Sequence, residues 1–148
     1  MLVPAGVQVL VILGSIAVDF AIVFLAQREL TGAAAAAAND AATGAISEQT
    51  FYGGSQRGRA GTIEIDDEAA GRVAGAALEQ QAPRGVRVTR LSVQAPGAQV
   101  CVTLDGEVDY LFARALPGAA HSTTVRGRAT ATAVEGPPGT RVQRGTVC

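Results

Sequence analysis

The sequence predicts an α+β fold, made of a long N-terminal transmembrane helix, a second short helix and an antiparallel sheet of about three strands. Three observations carry this expectation. Residues 2–26 are apolar apart from Gln8, Ser15 and Asp19. Between Asp66 and Pro83, the apolar residues Ala70, Val73, Ala74, Ala77 and Leu78 recur at helical spacing. From Val86 onward, apolar and polar residues alternate as they do in half-buried strands. The chain has 148 residues, enough for one small domain and an anchor. At 48% apolar and 17% charged residues it is not a disordered chain. A net charge of −1 excludes the basic field that would collect nucleic acid.

The first element, residues 2–26, extends about 37 Å as a helix, against a hydrocarbon thickness of about 30 Å. Pro4 falls in the first turn, where its missing N–H costs nothing. A buried core helix fits poorly, because the rest of the chain is too small to wrap a segment apolar all round. A cleaved secretory signal would want a basic start and a shorter apolar run, although the small residues at 33–38 keep that alternative, and a secreted product, open. A membrane anchor over 1–26 is the favoured reading. Arg28 beside Glu29 does not set its orientation by charge. An extracytoplasmic C-terminal part is expected because the stretch before the anchor is too short to act and two cysteines suit an oxidising compartment. Alanine then dominates residues 33–45, with no proline before Pro83, so the helix should run on to about Ser47 as an extension over 27–48. Such a surface without bulk suits close packing against a partner, with low-complexity drift as the bland alternative.

The remaining small domain, 49–148, opens with an exposed loop over 50–61, where Phe51 and Tyr52 could act as pins, and a short strand at Thr62–Ile65. Asp66 or Asp67 caps the second helix, which runs to about Gln81. Val86, Val88, Leu91 and Val93 change parity between Val88 and Leu91, so a bulge near Thr89–Arg90 is expected. Ala95–Ala98 is a turn. Val100, Val102, Leu104, Val108, Tyr110 and Phe112 then share one strand face, with Cys101, Thr103, Asp105, Glu107 and Asp109 on the other. Asp105–Gly106 resembles a hairpin turn, but a two-residue loop would pair Leu104 with Glu107 and Val102 with Asp109 and carry acids into the core. A continuous strand is therefore expected. A connection through Pro117–Gly118 leads to a last strand whose inner face, Val125, Gly127, Ala129, Ala131 and Ala133, is small enough for a helix to pack tightly on it. A Gly/Pro-rich tail follows.

The catalytic inventory is thin. One histidine, His121, and two cysteines, Cys101 and Cys148, build no metal cluster, and no cofactor is implied. Gly53–Gly54 lacks the lysine and following helix of a phosphate loop. Asp66, Asp67 and Glu68 are better read as helix-capping groups than as paired catalytic acids. A non-catalytic protein is expected.

The N-terminal Val3–Pro4–Ala5–Gly6, the stretch Ala17–Val18–Asp19–Phe20, the sequence Gln27–Arg28–Glu29–Leu30 and the run Ala33–Ala45, with the late strand Ala129–Ala133, together carry a family resemblance. The chain resembles the TadE/TadG-like proteins of Tad (Flp) pilus assembly, a branch of the type IV pilin-related systems, most of all over its N-terminal third. The fifth residue from Gly6 is Val11, where type IV prepilins carry glutamate. The resemblance implies a minor pilin-like or assembly component, with other pilus or secretion proteins of the membrane as partners and oligomers formed through the N-terminal helix. A membrane-tethered or secreted small binding domain is the alternative.

Two candidate sites follow. Cys101, on the polar strand face, could pair with Cys148 at the end of the tail, which would stabilise the fold by about 4 kcal/mol in the chain-entropy model. Unpaired thiols or an intermolecular bridge are the alternatives. Asp19, an acid inside the apolar segment, is a candidate assembly residue. It either pairs with a donor on a neighbouring helix or is merely protonated or shielded by water and Ser15.

Overall fold

A computed structural model describes residues 2–45, 65–113 and 118–133. Helix α1 (Leu2–Gly44) is unbroken for 43 residues, and helix α2 (Asp67–Gln80) follows. Strands β1 (Arg87–Gln94), β2 (Gln99–Asp109) and β3 (Ser122–Thr132) form an antiparallel sheet in the order β1-β2-β3. The fold is α+β, as the sequence patterns indicate. α1 lies across β2 and β3, α2 packs on α1 and β1, and together they cover one face of the sheet.

α1 changes character along its length. From Gly6 to Val18 its residues are exposed, apart from half-buried Ser15. From Ala26 to Ala45, one stripe is buried: Ala26, Leu30, Ala34, Ala37, Ala38, Ala41, Ala42 and Ala45. The alanine-rich stretch does pack closely, but against the sheet and α2 of its own chain. It shares one core with Val100, Val102, Leu104 and Val108 of β2, so packing does not divide the expected extension 27–48 from the domain that follows. The helix ends at Gly44 rather than near Ser47. Ala45 still donates its N–H to the Ala41 carbonyl at 3.0 Å, while its own carbonyl accepts from the Asp66 N–H at 3.3 Å, joining the two helices.

Glycine permits the close approach of α1. A Cβ on Gly127 would lie 2.7 Å from the carbonyl carbon and oxygen of Leu30, and 2.8 Å from the Thr31 nitrogen. The helix backbone therefore rests directly on β3 at this point. The Leu30 side chain is fully buried and also approaches the position a Cβ of Gly106 would take.

The second helix starts as its sequence suggests. Asp66 is the N-cap, and its carboxylate accepts from the Ala69 N–H at 2.7 Å. The Asp67 carboxylate reaches the Ala95 N–H at 2.6 Å and ties the helix start to the β1–β2 turn, in which Gly97 has φ +70°. The register between β1 and β2 shifts between Val88 and Arg90, which puts the bulge at Thr89. β2 runs straight through Asp105–Gly106 and ends at Asp109; Tyr110, Leu111 and Phe112 lie beyond the strand. Ile65 makes a single bridge, its N–H donating to the Gly97 carbonyl. The rest of the expected strand at 62–65, the loop with Phe51 and Tyr52, the Gly53–Gly54 pair, residues 114–117 of the β2–β3 connection and the C-terminal tail lie outside the described residues.

Candidate functional site

Asp19 is the one buried charged residue of the described core, at 8% exposure. α1 carries it to the end of the sheet where β2 leaves its last pair, Asp109 with Ser122. Its carboxylate there accepts three successive backbone N–H groups. Oδ1 takes those of Leu111 at 2.9 Å and Phe112 at 3.0 Å, and Oδ2 takes that of Ala113 at 2.9 Å. Consecutive N–H groups converging on one anion form a nest, here filled from within the chain. Ser15 donates to the Val11 carbonyl at 2.8 Å rather than to Asp19. Within the chain, the donors to Asp19 come from the β2–β3 connection, and the Ser15 hydroxyl is turned to its own helix.

The two ends of this arrangement agree in length. From Gly127, which touches α1 at Leu30, β3 runs back five residues to Ser122, about 17 Å. From Leu30 to Asp19, α1 rises about 16 Å. The sheet therefore runs alongside the helix from Leu30 to Asp19, and its far end stands level with Asp19.

Around Asp19 the surface is apolar. Phe20 is 74% exposed, Phe24 66%, Leu111 56% and Phe112 42%. On the side of α1 facing the sheet, Ile22 and Val23 are half-buried. Among the described residues, Asp109 and His121 are exposed polar groups at this end of the hairpin, and the His121 carbonyl accepts from the Tyr110 N–H at 2.9 Å.

The outer sheet face is polar. A cleft of about 250 Å³ lies between Arg90, Thr103, Asp105, Arg126 and Arg128. Arg126 donates to Asp105 at 2.6 Å. The hydrogen bond and charge of Arg126 hold the Asp105 carboxyl below the usual range and raise the guanidinium in turn. Cys101 lines the same face, is buried and is disulfide-bonded. Its expected partner, Cys148, lies outside the described residues. Cys101 and His121 stand at opposite ends of the hairpin, about nine strand residues or 30 Å apart, and form no Cys-His pair. A second cleft, about 670 Å³, opens between α1 at Arg28–Ala33 and the end of α2 at Gln80–Arg84. Among the described residues, no cluster of His, Cys, Asp or Glu has the makings of a metal site. Asp66, Asp67 and Glu68 are each engaged structurally, the last with Arg72 at 2.8 Å.

The signal for Asp19 was its place in an apolar run. Its partners had none, because a backbone N–H in a loop 92 to 94 residues away leaves no trace in residue identity. Comparison with protein-family models, with curated proteins and with solved structures returns no match. The N-terminal helix is long and apolar enough to cross a membrane, which is compatible with a single-pass membrane protein.

Proposed function

We propose that the chain is a single-pass, non-catalytic structural component of the cell envelope. α1 anchors it, its α+β domain stands outside the cytoplasmic membrane, and it assembles with pilus-type or secretion proteins. The observation that carries this reading is the continuity of α1. One unbroken helix presents an apolar surface over its first half and forms the core of the domain over its second. Domain and anchor are coupled without a hinge, so lateral packing of the apolar halves would fix how neighbouring domains stand, as filament or platform assembly requires. The resemblance of the N-terminal third to TadE/TadG-like proteins supports the same reading. The alternative binding module would want a pocket lined by aromatic side chains, and the two clefts described above are lined by polar and aliphatic ones.

Two experiments test it. Alkaline phosphatase fused after Cys148 should be active; a silent phosphatase together with an active cytoplasmic reporter at that point reverses the topology. A photo-crosslinking residue in place of Ile12 should capture, in native envelopes, a second copy of this chain or another protein with an apolar N-terminal helix. Lipid adducts alone would remove the assembly reading and leave a plain anchor.

A further inference from the structure

We propose that the tip of the β2–β3 hairpin, Leu111–Phe112, is a second membrane contact, seated in the interface of the bilayer leaflet from which α1 emerges, with Asp19 as the residue that holds it at that depth. The proposal rests on the anchor reading above.

The position of the tip carries the argument. If hydrocarbon reached to Ala26, the end of the sheet beside Asp19 would lie within it, together with exposed Asp109 and His121. A charged side chain inside the bilayer costs about 2.5–3.5 kcal/mol at its centre on insertion scales, and strand ends there would leave polar backbone groups without water. The hydrocarbon boundary is therefore drawn up to Asp19. The stretch Leu2–Val18 then provides about 25 Å, at the short end of what spans a bilayer. At the boundary so placed, the exposed large apolar side chains among the described residues are Phe20 on the helix and Leu111 and Phe112 on the hairpin, with Tyr110 half-buried next to them and Asp109 and His121 on the water side. Tyrosine, with an apolar ring and a polar tip, is enriched at this depth, and Tyr110 is the residue of that kind here.

Lipid is the occupant because the patch is continuous with the helix surface that enters the membrane. Val18 and Phe20 join it to the exposed run that begins at Val7. The loop does not reach this surface by chance of sequence alone. Three hydrogen bonds from consecutive N–H groups to one carboxylate fix residues 111–113 against α1 at the level of Asp19. Asp19 is thus a positioning residue. It satisfies backbone donors where water is scarce and sets the depth of the two apolar side chains beside it.

The chain has no tryptophan, so a single one reports without background. The full chain bearing Phe112→Trp is reconstituted in phosphatidylcholine–phosphatidylglycerol vesicles whose acyl chains are brominated near either the headgroup or the methyl end. The expected result is blue-shifted emission, quenched more by the shallow bromines than by the deep ones. Leu13→Trp, in the span, should be quenched as well. Adding Asp19→Ala to Phe112→Trp should reduce the shallow quenching while Leu13→Trp with Asp19→Ala keeps its own. Water-like, unquenched emission from Phe112→Trp with a quenched Leu13→Trp would overturn the contact and leave the anchor intact. Blue-shifted but unquenched emission would assign the patch to a protein partner and overturn it too. No quenching at either position would remove the anchor itself. Shallow quenching that ignores Asp19→Ala would overturn the role given to that residue.

Discussion

Gly127 has no side chain to contribute, yet it determines how near α1 can come to β3. A methyl group there would sit 2.7 Å from the Leu30 carbonyl and 2.8 Å from the Thr31 nitrogen, and both are helix backbone, which cannot rotate away. Gly127→Ala should therefore lift α1 from the sheet and destabilise the protein by about 1–3 kcal/mol, the usual cost of overpacking. Thermal unfolding of the full chain in detergent checks this, and an unchanged midpoint would show that the helix shifts freely. The small inner face of β3 was legible in the sequence as a seat for a helix, because every second residue is glycine, alanine or valine. Which turn of α1 it receives was not, since the alanine-rich run is nearly uniform and gives no register. Asp19 shows the same limit. Its unusual place was visible, but its partners are main-chain groups, which every non-proline residue carries.

Local rules account for most elements. The Asp66 cap, the Thr89 bulge, the Gly97 turn and the continuity of β2 through Gly106 all follow from parity or capping chemistry within a few residues. Parity overreached at the end of β2. It placed Tyr110 and Phe112 on the inner face, whereas the strand stops at Asp109 and Phe112 is exposed, because the three N–H groups beyond it turn to Asp19. The pairing of β2 with β3 also has a titratable element, Asp105 with Arg126 on the outer face. The Asp105 carboxyl is lowered when folded, so its contribution is present at neutral pH and is lost as pH falls below about 4, through the lowered value. Asp105→Asn should consequently lower the urea midpoint slightly at pH 7, and the gap to the unmodified protein should close in strong acid. Both groups meet solvent, so the effect is small and shrinks with added salt. A gap that widens in acid would contradict the pairing.

At the scale of the molecule, α1 belongs to anchor and domain at once. Eight of the nineteen residues in the buried hydrophobic core cluster, among those described, lie between Ala26 and Ala45. Without them the sheet would open Val100, Val102, Leu104 and Val108 to water, all of which are 0–1% exposed. At about 1.5–3 kcal/mol for each fully buried side chain, the four represent about 6–12 kcal/mol, comparable with the whole stability of a small domain at about 5–15 kcal/mol. A fragment of residues 49–148, cut where the composition changes, should then fail to fold. A fragment of residues 19–148 keeps Leu30 against Gly127, the alanine stripe against α2 and the Asp19 clamp, and should unfold cooperatively. Urea titration followed by circular dichroism in mild detergent separates them: a sigmoidal transition is expected for 19–148 and a featureless slope for 49–148. A cooperative transition of 49–148 would mean that the sheet and α2 close on themselves, and that α1 is a detachable tether rather than the core of the domain it anchors.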